Sequence, residues 1–193
     1  MSRLFVIAAL AAAGVQTAAA QNKPAYADKF EANCVACHGP QGRSATALTP
    51  SLAGQPSFYA ITQIFLFREG RRDNPLMIAV AKGMSNEDMR GYADHIGTLP
   101  PPDAPASAGD AARIARGRAL AQQHHCTGCH GPDLAGGKQV PRLARQREDY
   151  LQHALHGFRA GRRIGYTQAM NEALAGLRPE QLDDLAHYLA HAP

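Results

Sequence analysis

The chain has no tryptophan, and aromatic residues make up only 6% of its 193 positions. So little aromatic bulk leaves a core that side chains alone fill poorly, and it excludes a basic groove interleaved with stacking rings. A formal charge of +4, from 20 basic and 16 acidic residues, argues the same way against a nucleic-acid partner, because the arginines are scattered or paired. Sustained alternation of apolar and polar residues is missing, so strands should be rare. After residue 20, no apolar run is long enough to span a bilayer. Cysteine is scarce as well, with four residues in all.

Those four cysteines fall into two copies of one pentapeptide, Cys34-Val-Ala-Cys37-His38 and Cys126-Thr-Gly-Cys129-His130. Cys-x-x-Cys-His is the attachment signature of a c-type haem. Two thiols on one helical turn add to the two vinyl groups of a porphyrin, and the adjacent histidine lies under the iron. Two haems use every cysteine, leaving none for a disulfide or a thiol nucleophile. A zinc half-site would need further ligands at finger-like spacing, which these widely separated pairs do not provide. A redox dithiol gives no reason for a histidine after both copies. Each haem brings two propionates, so the net charge of the holoprotein is closer to neutral or acidic, and the bare charge says little about partners.

The N-terminus reads as a secretory signal over 1–20. Arg3 is the positive residue, Leu4 to Val15 the alanine-rich apolar stretch and Ala18-Ala19-Ala20 the small-residue cleavage pattern. The alternative is an uncleaved anchor. Export agrees with the haem motifs, because c-type haem is attached outside the cytoplasm, and a bacterial periplasm is the expected address.

An internal repeat locates the domains. Pro50 to Arg72 aligns without a gap to Pro141 to Arg163, with Pro, Leu-Ala, Gln, Tyr, Phe-Arg, Gly and Arg-Arg recurring in register. Cys-His-Gly-Pro recurs upstream, and Met84-Ser-Asn-Glu-Asp-Met matches Leu177-Arg-Pro-Glu-Gln-Leu downstream. The chain therefore divides into an N-terminal domain, 21–98, a proline-rich linker, 99–109, and a C-terminal domain, 110–193. The linker favours extended polyproline conformation. Domains this small bury marginal cores, and a haem in each supplies the missing apolar bulk.

The pattern predicts helices over 25–33 and 111–123 leading into the haem motifs, 57–69 and 148–159 in the middle, and 86–96 and 179–190 at each close. Ser85 and Asp88 resemble a capping box, and Pro179 suits a first helical position.

An electron-carrying iron usually has two strong axial ligands. His38 and His130 supply one each. The C-terminal half contains a single methionine, Met170, seven residues before Leu177; seven before Leu177's repeat partner Met84 is Met77. Histidine-to-methionine spacings of 39 and 40 residues then agree between the halves. Thioether ligation raises the potential. Met84 is a rival ligand, though it and Met89 read better as core filler. His95, His153 and His156 offer a bis-histidine alternative, but none recurs at the matching position of the other half. These three, with His124, His125, His187 and His191, are expected on the solvated surface. Pro50 and Pro141 follow the proximal histidines by 12 and 11 residues, and their carbonyls can accept the imidazole Nδ1–H. Arg71, Arg72, Arg162 and Arg163 are candidates to neutralise propionates, or simply solubilising charge.

These motifs look like the class I cytochrome c pattern, and their duplication resembles the diheme cytochrome c4 family over essentially the whole mature chain. The resemblance implies an all-α fold of two tandem class I cytochrome c domains, each wrapped around one haem c, with haems facing across a pseudo-twofold interface. It implies His38/Met77 and His130/Met170 as axial pairs. It also implies a periplasmic, sometimes membrane-associated, protein feeding electrons towards terminal oxidases. Met84 stands where leucine is usual, and the second half has two extra residues before Met170. Two function classes stay open: a carrier between a respiratory donor complex and a terminal oxidase, without substrate turnover, and a diheme subunit of a dehydrogenase complex handling alcohols, sulfide or another small reductant. A catalytic or gas-sensing protein with an open iron is disfavoured by the candidate thioether in each half.

Overall fold

In the computed structural model, which describes residues 26–163 and 168–193, ten α-helices form two consecutive sets of five. The first half holds α1 (Ala27–Asn33), α2 (Val35–His38), α3 (Ser57–Arg68), α4 (Pro75–Ala81) and α5 (Asn86–Thr98). The second repeats the order as α6 (Ala111–Gln123), α7 (Cys126–His130), α8 (Glu148–Arg159), α9 (Gln168–Leu174) and α10 (Pro179–Ala190). Among the described residues the sole β-type pairing is one isolated bridge, Gly137 to Val140. No helix there is long and apolar enough to cross a membrane. The signal sequence expected at 1–20 lies outside the described residues.

Buried apolar residues form two separate clusters, one per half. Phe30, Ile64, Phe67, Met89, Tyr92 and Ile96 anchor the first. The second is built largely of leucine, with Leu151, Leu155, Leu177, Leu182, Leu185 and Leu189 around Phe158. In each half the last helix is the organiser: α5 packs on α3 and α1, and α10 on α6 and α8. Local chemistry fixes where these helices begin. Ser85 and Asp88 make a full capping box for α5, the hydroxyl taking the Asp88 N–H at 3.0 Å and the carboxylate taking the Ser85 N–H at 3.2 Å. Pro179 opens α10. Two helices escaped the sequence reading, α4 and α9, which carry Met77 and Met170. At seven residues each they show too few turns for a periodic signal, although Asn74 caps α4 by accepting the Met77 N–H at 2.9 Å.

The linker from 99 to 109 contains no helix and is bonded to both halves. Gly54 N–H reaches the Leu99 carbonyl at 3.1 Å, Arg43 the Pro101 carbonyl at 3.1 Å and Arg145 the Pro102 carbonyl at 3.4 Å. At its far end Asp110 N–H donates to His187 Nε2 at 2.9 Å.

Candidate haem sites and the interface between them

Each Cys-x-x-Cys-His segment is a short helix, α2 or α7, stopped by a glycine at positive φ: Gly39 at 76° and Gly131 at 81°. That conformation is open to glycine at little cost. At Gly39 a side chain would also collide with the Arg43 carbonyl, so the recurring Cys-His-Gly is a backbone requirement. The first cysteine of each pair, Cys34 or Cys126, is half-buried and the second, Cys37 or Cys129, exposed. Burial pushes the Cys34 thiol up to about 11 and raises Cys126 as well.

Both histidines are buried, and both present the same hydrogen bond. His38 Nδ1 lies 2.9 Å from the Pro50 carbonyl and His130 Nδ1 2.9 Å from the Pro141 carbonyl. A carbonyl only accepts, so Nδ1 carries the proton and Nε2 keeps its lone pair for a metal. Burial lowers both imidazole pKa values, against the opposing pull of the proline carbonyls, which favours the neutral ring that ligation requires. Paired thiols one turn apart, beside a neutral imidazole fixed in this tautomer, fit a covalently attached haem. Met77 and Met170 are half-buried, on the equivalent helices α4 and α9, and each packs against the core of its own half. Met89 is buried, and Met84 packs partly exposed against the first cluster.

The histidines expected at the surface divide. His125 and His153 are exposed, and His156 pairs with Asp183 at 2.9 Å. His95 and His187, by contrast, are buried. His95 shares the inner face of α5 with Tyr92 and Ile96, its ring centroid 5.0 Å from that of Phe30. His187 is polar but fully engaged, with Nδ1 2.8 Å from Glu148 and Nε2 accepting from Asp110. Both were misread because nothing in the sequence alone separates a histidine packed inside a helix pair from a solvated one.

The arginine pairs also divide. Arg71 and Arg162 are exposed, whereas Arg72 and Arg163 turn towards the junction of the halves and meet at one phenol. Arg72 donates to Tyr150 Oη at 2.7 Å and to Gln63 at 2.8 Å, and Arg163 approaches the same Oη at 3.4 Å. Burial alone would raise the Tyr150 pKa, but the two guanidiniums together outweigh it and bring it down to about 8. Nearby, Leu48 N–H donates to Asp149 at 3.0 Å and Arg147 to the Ser44 carbonyl at 3.1 Å.

The centre of the junction is a reciprocal clamp. Gln146 accepts the Ser51 N–H at 2.8 Å and returns Nε2–H to the Ser51 carbonyl at 2.8 Å. Gln55 does the same to Arg142, with both bonds at 3.0 Å. Gln55 and Gln146 are repeat equivalents, as are Ser51 and Arg142, so the contact has pseudo-twofold symmetry. Sequence reading missed the role of Gln55, Gln146 and Tyr150. The signal was present for the glutamines, which recur in register in the Pro-x-Leu-Ala-x-Gln turns, but a turn gives no hint that its last residue reaches the other half.

Two helical domains, each presenting a Cys-x-x-Cys-His helix with a proline-bonded imidazole, define a tandem c-type cytochrome. The profile of the family described as cytochrome c matches residues 27–101 and 114–193. A cytochrome c4 of Thiocapsa roseopersicina is 32% identical over 189 residues, covering 91% of this chain and 96% of that one. A thiosulfate dehydrogenase electron acceptor of Thiomonas intermedia is 30% identical, covering 100% of this chain and 92% of its own. Among solved structures, reduced cytochrome c4 from Pseudomonas stutzeri superposes with a TM-score of 0.78 at 26% identity, over 86% of this chain and 96% of that one. The chain belongs to the diheme cytochrome c4 family: an electron-transfer protein that binds two haem c groups.

Proposed function

We propose that this protein is a periplasmic carrier that moves single electrons from a respiratory donor complex to a terminal oxidase. The observation that carries the reading is the duplicated proximal site, with His38 and His130 buried and held in one tautomer by the proline carbonyl of their own half. When bound, the haem supplies one-electron exchange at iron. The rest falls to the chain. Cys34 and Cys37, and Cys126 and Cys129, would attach the two haems, and the buried imidazoles of His38 and His130 would each hold one iron. Met77 and Met170 would each supply a thioether to the iron of their own half, a role supported by their matching helices and their packing on the cores. Arg72 and Arg163, already drawn together at the junction, are placed to neutralise carboxylates there. Export is supported by the leader-like 1–20 segment and by haem c attachment outside the cytoplasm.

A second reading, acceptor for a dehydrogenase, is favoured by two relatives, from Thiomonas intermedia and Stutzerimonas stutzeri, whose names state that role for thiosulfate dehydrogenase. The two readings separate in one assay. Oxidase-containing membranes should oxidise the reduced protein rapidly under the first, whereas under the second a dehydrogenase with its small reductant should reduce it and such membranes should not react. The ligand assignment is tested with Met77→Ala and Met170→Ala. Each should lose one haem's share of the near-infrared iron–thioether absorption. A variant retaining full intensity would remove that methionine from the coordination sphere.

A further inference from the structure

In each half one peptide group stands between the buried histidine and a glutamine of the other half, hydrogen-bonded to both. The peptide joining Pro50 to Ser51 accepts the His38 Nδ1–H at its carbonyl, at 2.9 Å. Its N–H donates to Oε1 of Gln146, from the other half, at 2.8 Å. The peptide joining Pro141 to Arg142 repeats this, with His130 at 2.9 Å on the carbonyl and Gln55 at 3.0 Å on the N–H. Each glutamine is locked in place by its second bond, from Nε2 to the carbonyl of the residue it grips. Both are buried, at 6% and 5% exposure, so water does not compete for these bonds.

A peptide is a delocalised unit, and hydrogen bonds in a chain polarise one another. An acceptor on the N–H pushes charge onto the carbonyl oxygen, which then draws harder on the imidazole proton. The imidazole becomes more basic at Nε2, and a more basic axial ligand favours the oxidised iron. We propose that each haem's potential is tuned from the opposite half: Gln146 acts on the iron held by His38, and Gln55 on the iron held by His130. The inference rests on the proposed role of those histidines as axial ligands. Both glutamines are positioning residues, touching neither iron nor porphyrin. If they were only adhesive, nothing would cross over.

The experiment uses the full diheme protein with Gln146→Met and Gln55→Met, which keep the side-chain bulk and remove both hydrogen bonds. Two readouts are needed: the Nδ1–H signals of His38 and His130 by NMR in the reduced, histidine-labelled protein, and a redox titration with the haems distinguished by their methyl resonances. In Gln146→Met the His38 Nδ1 proton should move upfield and exchange faster, and the potential of the first-half haem should rise, with His130 and its haem unmoved. Gln55→Met should give the mirror result. A response confined to the glutamine's own half, an equal response of both haems in a protein whose halves stay docked, or no response overturns the proposal. A variant whose halves part, seen as a larger radius of gyration, has lost both relays and must show both potentials raised; unmoved potentials there overturn it too. Failure of the underlying reading is distinguishable, because the wild-type protein would then lack two equivalents of haem iron or would keep its spectrum when His38 is replaced.

Discussion

Gly117 lies where α6 meets α10, and the contact is close enough to set the stability of the second half. A Cβ added there would stand 2.3 Å from the Asp184 carbonyl oxygen and 2.5 Å from the Tyr188 Cβ. In an unencumbered helix, replacing glycine by alanine gains about 1 kcal/mol. Overpacking costs about 1–3 kcal/mol. Here it falls at the upper end, because the obstacle is the backbone of α10, which moves only by carrying Leu182, Leu185 and Leu189 with it. Gly117→Ala should therefore lose about 2 kcal/mol net, and at roughly 4–8 °C per kcal/mol the second half should melt about 8–16 °C lower. Thermal unfolding of the holoprotein, followed by helical circular dichroism and haem absorbance, reads this directly. Gly83→Ala is the control. No atom lies within 4 Å of its added Cβ, so its effect should stay within about 0.5 kcal/mol. A Gly117→Ala protein melting at or above the wild-type temperature would refute the packing argument.

Three further outcomes are expected. Ser85→Ala removes the hydroxyl half of the α5 capping box and should cost about 1 kcal/mol by denaturant titration of the first half. The Asp88 carboxyl is held well below the usual carboxylate range, first by the Ser85 hydroxyl and then by the Lys29 ammonium. Its folded value thus lies under the unfolded one of about 4, so its contribution is present above that pH and is lost as the pH falls through the folded value. Asp88→Asn should flatten the acid limb of the first half's stability curve, and equal acid slopes in mutant and wild type would contradict this. Leu182→Ala, at a side chain with 0% exposure, should cost about 2–5 kcal/mol, measurable as a lowered denaturation midpoint of the second half.

How much was legible in advance follows from the range over which each signal acts. The haem helices, the capping box before Asn86, the proline opening α10 and the bonds from His38 and His130 to their prolines are local, within about a dozen residues, and strong in composition. The duplication extended that legibility, since each half served as a check on the other. What did not show was long-range or short-lived in sequence. Helices α4 and α9 are too brief for periodicity to register. His95 and His187 gave no sign of burial, because their environment is assembled from α1 in one case and from Glu148 and Asp110 in the other. Tyr150 and the two glutamines act on residues roughly 80–100 positions away, a separation at which neither spacing nor propensity carries information.

The anchored linker has a consequence for how the halves stay together. Bonded to Gly54, Arg43 and Arg145 at its start and to His187 at its far end, it holds the two bodies within reach of each other. Short tethers impose effective concentrations of order millimolar. A junction made of a few amide and guanidinium contacts, too weak to keep separate molecules in complex at cellular dilution, is thereby kept shut. Cutting the exposed stretch around Ala104 to Ala108 would turn one molecule into two that drift apart.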